Sequence, residues 1–197
     1  KAFWGIDTTT IHALDAIDPK VRILDQSRIG AVLTGDAAAL KGGPPVMGML
    51  MQNANSATVA PDTATVLKGL AREDLFLVVQ EQMPTPTTRY ADILLPASMF
   101  VEHDDMYYGL GHTHLVFGPK LVEPRGEARP NSFVVRELAR RLGARHACFE
   151  MTDRELLDDG LRRAGLPGLA EVERTGWLDR AQPFAKAHFL DGFPQPD

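Results

Sequence analysis

Two polar stretches stand where short apolar runs end. Val46-Met47-Gly48-Met49-Leu50-Met51 runs into Gln52-Asn53-Ala54-Asn55-Ser56, and Leu75-Phe76-Leu77-Val78-Val79 runs into Gln80-Glu81-Gln82. Amides donate and accept and carboxylates accept, so such clusters can hold the sugar and phosphate of a nucleotide. Glu81 lies 26 positions after Asn55. That arrangement is close to the one in which a dinucleotide-binding fold sets an acidic residue against ribose hydroxyls. No G-x-G-x-x-G precedes the intervening helix, which disfavours a nicotinamide-type site. Asn53 and Asn55 also read as turn residues, because Asn tolerates the left-handed conformation, with Glu81 then simply solvated.

A second cluster, Glu102-His103-Asp104-Asp105 with His112 and His114, has the chemistry of a non-haem iron or zinc site. His112 and His114 would share one face of a strand, but nothing in the spacing sets a third ligand. It reads better as a polar loop, and no metal ligand is assigned. The chain has one cysteine, Cys148. That excludes an internal disulfide and a cysteine-held iron–sulfur or zinc centre within it. No serine nucleophile elbow is present, so no catalytic residue is assigned. Of the arginines at 125, 129, 140, 141 and 145, Arg129 is the one expected to face phosphate, and the helical ones to face water.

The elements that must position these residues follow from pattern. The chain has 197 residues, of which 44% are hydrophobic and 24% charged, and 21 basic against 26 acidic residues give a net charge of −5. That is globular composition without the broad basic footprint of a nucleic-acid binder. No apolar run reaches the ~20 residues that span a bilayer. Residues 46–51, 75–79 and 91–95 read as strands buried on both faces, with a helix opened by Asp62 between the first two. Strand, helix, strand, loop, strand implies parallel pairing. Asn131 or Ser132 starts a helix that turns Val134, Val135, Leu138, Ala139 and Leu142 inward and ends at Gly143. Thr152-Asp153-Arg154-Glu155 has the spacing of a capping box and opens another. The expected fold is α/β: three layers, a mostly parallel sheet with helices on both faces, and a helical C-terminal extension. The expected division is 1–45, a lead-in packed on the core; 46–150, the α/β nucleotide-binding domain; and 151–197, a helical extension and linker. Both ends read as open, so the chain is expected to be a piece of a longer protein.

The run from Gln80 to Ala97, with Thr85-Pro86-Thr87 and Ala91-Asp92-Ile93-Leu94-Leu95-Pro96, resembles a pattern of the molybdopterin oxidoreductases. This is the dimethyl sulfoxide reductase superfamily, which includes formate dehydrogenases and nitrate reductases. Three more stretches fit in order: Gln52-Asn53-Ala54-Asn55, Glu102-His103-Asp104-Asp105, and Pro124-Arg125-Gly126-Glu127-Ala128-Arg129-Pro130-Asn131 followed by Leu138-Ala139-Arg140-Arg141-Leu142-Gly143. The resemblance spans about residues 46–145. It departs from the usual pattern at Ser56 (Pro), Glu81 (Asp), Pro86 within Thr-x-Thr, His103 (Lys) and Asn131 (Asp).

The resemblance implies the third domain of a four-domain enzyme, which grips one molybdopterin guanine dinucleotide carrying Mo or W. It implies that Asn55, with Asn53, meets phosphate or ribose. Gln80 and Glu81 would meet ribose or the guanine edge, Thr85 would offer a hydroxyl, His103 would lie close to the nucleotide, and Asn131 would accept from the guanine edge. The metal ligand and any iron–sulfur cysteines would lie in other domains, so the isolated piece is expected to be inactive and to hold no cofactor alone. Its expected partners are the remaining domains of the same polypeptide and an electron-transfer subunit, with no nucleic acid and no membrane segment. Localisation is expected to be cytoplasmic. The alternative is a stand-alone α/β module that binds no cofactor and acts by protein contact.

Overall fold

The structure is a computed structural model, and it describes residues 17–109, 112–181, 183–190 and 192. The first part of the expected lead-in, residues 1–16, lies outside the described residues. The chain forms two compact units: the first is Asp18–Met99 with Glu123–Ala144, and the second contains the described parts of Phe100–Val122 and Arg145–Asp197. Residues 100–122 therefore group with the segment after 145 and not with the α/β strands that precede them.

In the first unit, Asp25 accepts from the Ser27 backbone N–H and starts a 3₁₀ turn leading into helix α1 (Ile29–Leu33). Strand β1 (Gly48–Gln52) follows, then the short helix α2 (Ser56–Val59) and helix α3 (Thr63–Leu70), capped by the Asp62 carboxylate on the Thr65 N–H. Strands β2 (Phe76–Glu81) and β3 (Ile93–Pro96) complete a parallel sheet in the order β1-β2-β3. Leu50 pairs with Val78, and Val79 with Leu94. The predicted α/β architecture with a parallel sheet is the one observed. Ile29, Leu33, Met51, Val66, Leu70, Leu77 and Val79 form the core. Helices α1 and α3 meet closely enough that a Cβ at Gly30 would sit 2.9 Å from the Val66 backbone nitrogen, so glycine is required there.

Burial is less symmetric than the apolar runs suggest. Only β2 is enclosed. In β1 only Met51 is buried, and in β3 both Ile93 and Leu94 are exposed. Apolar content signals that a strand wants cover, and does not say which covering element belongs to the same unit. Helix α4 (Asn131–Leu142) shows the same departure. It runs over the expected residues to Gly143, which adopts the left-handed conformation. Among the residues expected inward, only Ala139 is buried, while Val135, Leu138 and Leu142 are exposed.

The second unit holds a sheet that the sequence pattern did not predict. Strands β4 (Asp105–Tyr108), β5 (His114–Gly118) and β6 (Trp177–Asp179) pair antiparallel, with His114 opposite Asp179. Strands of three to five residues carry little periodic signal, and β6 joins β5 across some sixty positions. Helix α5 (Asp153–Arg163) carries the predicted capping box between Thr152 and Glu155. With α6 (Leu169–Thr175) it encloses Leu115, Phe117, Leu161, Leu169 and Val172. No helix among the described residues is long and apolar enough to cross a membrane.

Leu77→Ala is expected to cost about 2–5 kcal/mol, because its side chain is fully enclosed. Leu94→Ala, at a half-exposed position, is expected to cost about 0.5 kcal/mol or less. Urea titration of the two variants checks this, and equal costs would contradict the exposure of β3.

Candidate functional site

The three parallel strands place their carboxyl ends along one edge, where open α/β sheets bind ligands. Gln52 ends β1 directly beside Gln80, and Glu81 ends β2 beside Pro96. A distant segment completes the edge. Ala97 and Arg129 form a single parallel bridge, in which the Arg129 N–H donates to the Pro96 carbonyl (3.1 Å) and the Ser98 N–H to the Arg129 carbonyl (3.0 Å). This bridge brings Arg129-Pro130-Asn131 to the strand ends and starts α4 there. Pro suits that N-cap position, since its missing N–H is not needed by the helix.

A chain of amides crosses the floor of this edge. Gln80 is fully buried. Its Nε2 donates to the Arg129 carbonyl at 2.9 Å, and its Oε1 accepts from Gln52 Nε2 at 2.7 Å. Gln52 Nε2 also reaches the Asn131 carbonyl at 3.3 Å. A second buried group organises the loops. The Thr87 hydroxyl, fully enclosed, accepts from the Ala57 N–H at 3.0 Å and donates to Asn55 Oδ1 at 2.8 Å. The Thr87 N–H reaches the same Oδ1 at 3.4 Å. With two donors on its oxygen, Asn55 turns its Nδ2 donors away from the protein contact.

The structure brings six of the seven sequence-predicted residues into the first unit. Asn53 is exposed and left-handed (φ 48°), and its N–H donates to the Gln80 carbonyl at 2.9 Å. It is the turn residue that ends β1. Asn55 and Glu81 are half-buried, and one Glu81 oxygen accepts from the Gln82 N–H at 2.8 Å. Thr85 sits in a turn closed by Thr88, and its own hydroxyl is buried with no partner. Asn131 opens α4, half-buried. Gln80 differs most from expectation, since both ends of its amide are spent on the protein. Arg129 lies over the Phe133 ring (5.9 Å) and donates to the Ala128 carbonyl at 2.7 Å, so part of its guanidinium is held within its own loop.

His103 belongs to the second unit, with Nε2 3.9 Å from the Asp105 carboxylate. No group of three or more His, Cys, Asp or Glu residues able to hold a metal occurs among the described residues. The second unit also has a cleft of about 360 Å³ along α5 and α6. Its charges answer one another: Asp158 pairs with Arg162 at 2.6 Å, and Arg154 with Glu173 at 2.6 Å. The Arg162 guanidinium accordingly holds the Asp158 carboxyl below its usual range.

Sequence reasoning passed over Thr87 and Gln52 as parts of the site. The signal for Thr87 was its place beside Thr85. For Gln52 it was its position at the last pair of a parallel ladder, which only the register reveals.

A parallel sheet with amides, a carboxylate and an unpaired hydroxyl at its carboxyl edge has the arrangement of an open α/β unit that takes ligands at its strand ends. A family model described as molybdopterin oxidoreductase matches residues 27–141, and the chain belongs to that family. A Bacillus subtilis protein named "Probable oxidoreductase YoaE" is 34% identical over 152 residues, covering 77% of this chain and 22% of that protein. The nitrate reductase of Symbiobacterium thermophilum is 32% identical over 169 residues, covering 83% of this chain and 19% of the enzyme. Among solved structures, acetylene hydratase from Pelobacter acetylenicus superposes with a TM-score of 0.60 at 27% identity, over 78% of this chain and 21% of that one. The chain thus spans about a fifth of the length of these relatives.

Thr87→Val removes the hydroxyl but keeps the shape, leaving the Ala57 N–H and Asn55 Oδ1 without their shared partner. It is expected to cost about 1–3 kcal/mol, with Thr87→Ser close to the parent. Denaturation midpoints of the two variants decide this, and a loss in Thr87→Ser as large as in Thr87→Val would show that the hydroxyl bonds contribute no more than the methyl group.

Proposed function

We propose that this chain is the part of a molybdopterin-dependent oxidoreductase that grips the guanine nucleotide end of a molybdopterin guanine dinucleotide. The observation that carries this reading is the unsatisfied polarity at the sheet edge. The Thr85 hydroxyl is buried without a partner, and the Asn55 amide is held with its donors outward. A buried hydroxyl left unpaired costs stability, and a ligand oxygen or N–H arriving there relieves that cost. The donor set fits a nucleotide, so the residues present fit the group. When bound, the metal–pterin group, with Mo or W, supplies the redox chemistry.

The residues of the chain bind and orient. Asn55 donates to a phosphate or ribose oxygen. The Glu81 carboxylate, with one oxygen on the Gln82 N–H, accepts from guanine N1–H and the 2-amino group, donors that adenine lacks on that edge. Thr85 adds a hydroxyl contact, and Asn131 an acceptor at the opening of α4. Asn53 shapes the turn, and Gln80 positions its neighbours from beneath. His103 belongs to the second unit and is not part of this assignment.

Catalysis belongs to the longer enzyme, as the relatives' length supports. The exposed apolar residues Phe133, Leu138 and Leu142 on α4, with Ile93 and Leu94 on β3, support cover by further parts of such an enzyme. The remaining domains and an electron-transfer subunit are the proposed partners.

A ¹⁵N chemical-shift titration with GDP and with ADP, up to millimolar concentration, tests the assignment. GDP is expected to move Asn55, Glu81, Thr85 and Asn131, and ADP to move them less. Thr85→Val is expected to match or exceed the parent's stability while weakening GDP binding. A silent GDP titration, or equal response to both nucleotides, would overturn the guanine assignment.

A further inference from the structure

The polarity of each amide at the sheet edge is determined by groups that cannot change roles. The Arg129 carbonyl only accepts, so Gln80 must turn Nε2 toward it. The other end of the Gln80 amide is then an acceptor, and Gln52 must meet it with Nε2. The Asn131 carbonyl, also only an acceptor, lies against the same nitrogen of Gln52. Two independent acceptors therefore commit the donor end of Gln52. Its oxygen is left over, on a half-buried side chain, and no donor among the described residues reaches it.

We infer that Gln52 is a further ligand-contact residue, presenting Oε1 as an acceptor to an N–H or O–H of the bound nucleotide, with Gln80 as the positioning residue that holds it. The inference rests on the nucleotide reading above. It adds a third acceptor to those of Glu81 and Asn131, beside the donors of Asn55. The donor it takes is the second hydrogen of the guanine 2-amino group, beyond the one given to Glu81, or a ribose hydroxyl. A flipped Gln52 would set its oxygen against two other oxygens, so the orientation is resistant to ligand-induced change. Such carbonyl-anchored amides discriminate well, because a ligand lacking the donor leaves the acceptor desolvated and unpaired.

The test measures affinities of the 197-residue chain by NMR titration with GDP, ADP and 2′,3′-dideoxy-GDP. ADP lacks both guanine-edge donors, and dideoxy-GDP lacks both ribose hydroxyls. Gln52→Met is expected to weaken GDP about tenfold. It should weaken one analogue much less: ADP if the base edge is the donor, dideoxy-GDP if the ribose is. Gln80→Met, which breaks the support but touches no ligand, is expected to show the same selectivity among the three more weakly. Equal weakening of all three by Gln52→Met, or none, would overturn the inference and leave Gln52 a structural residue.

If Gln52→Met does not fold, the ¹³C shift of Gln52 Cδ in the unsubstituted chain decides. Movement with GDP and not with one analogue supports the contact, and identical movement with all three or no movement refutes it. Failure of the unsubstituted chain to bind any of the three defeats the nucleotide reading itself, and this inference with it. Failure of Gln52 alone leaves that reading standing.

Discussion

The carbonyl of Arg129 takes two donors, the Ser98 N–H and the Gln80 side chain, and the sheet edge is built on that pair of bonds. One bond continues the ladder of β3 by a single step. The other reaches beneath it to the end of β2. Together they attach a segment some thirty residues further along the chain to the strand ends, and α4 begins where it does as a consequence. Without this attachment the amides of Gln52 and Gln80 would face each other with no group to decide which is donor. The carbonyl is a small feature, but it is the one whose chemistry allows no alternative.

Around it the unit combines a well-sealed centre with unsealed sides. Leu77, Val79 and Val66 are wholly enclosed, while Ile93, Leu94, Leu138 and Leu142 face outward. Apolar surface of that kind on a parallel sheet and an amphipathic helix is unfavourable in water. The centre holds its own strands, and further polypeptide of a longer enzyme is the cover proposed for the outer faces. The second unit is held differently, by a short antiparallel sheet against two helices and by charge pairs such as Arg154 with Asp104 and Glu173. Exposed pairs of this kind contribute little individually and mainly fix orientation.

Much of the fold was legible from local pattern. The cap at Asp62, the stop at Gly143 and the capping box at Thr152 rest on interactions within a few residues, which spacing reports, and the apolar runs at 46–51, 75–79 and 91–95 marked the three strands to within a residue or two of their ends. The sheet of β4, β5 and β6 was not legible: β4 and β5 are short neighbours with little alternation, and β6 joins β5 from some sixty positions away. Nor was the burial of α4, since a hydrophobic face indicates a need for cover and not its presence. In the site, Asn53 was legible as a turn residue, and Asn55, Glu81, Thr85 and Asn131 as polar groups near strand or helix ends. Gln80 was legible only in position.

The sequence by itself determined the parallel α/β frame, the family, and the polar residues that stand at the ends of its strands and at the start of α4, though His103, expected beside them, belongs to the second unit. Residue type, strand spacing and turn chemistry are local properties, and they act before the chain closes on itself. Tertiary structure alone decided the role of each polar group. Gln80 and Thr87 are consumed inside, Asn55 is left with its donors outward, and Gln52 with its oxygen. That outcome depends on which amide meets a carbonyl from another part of the chain, and a hydrogen bond between residues 80 and 129 has no trace in the order of the residues between them.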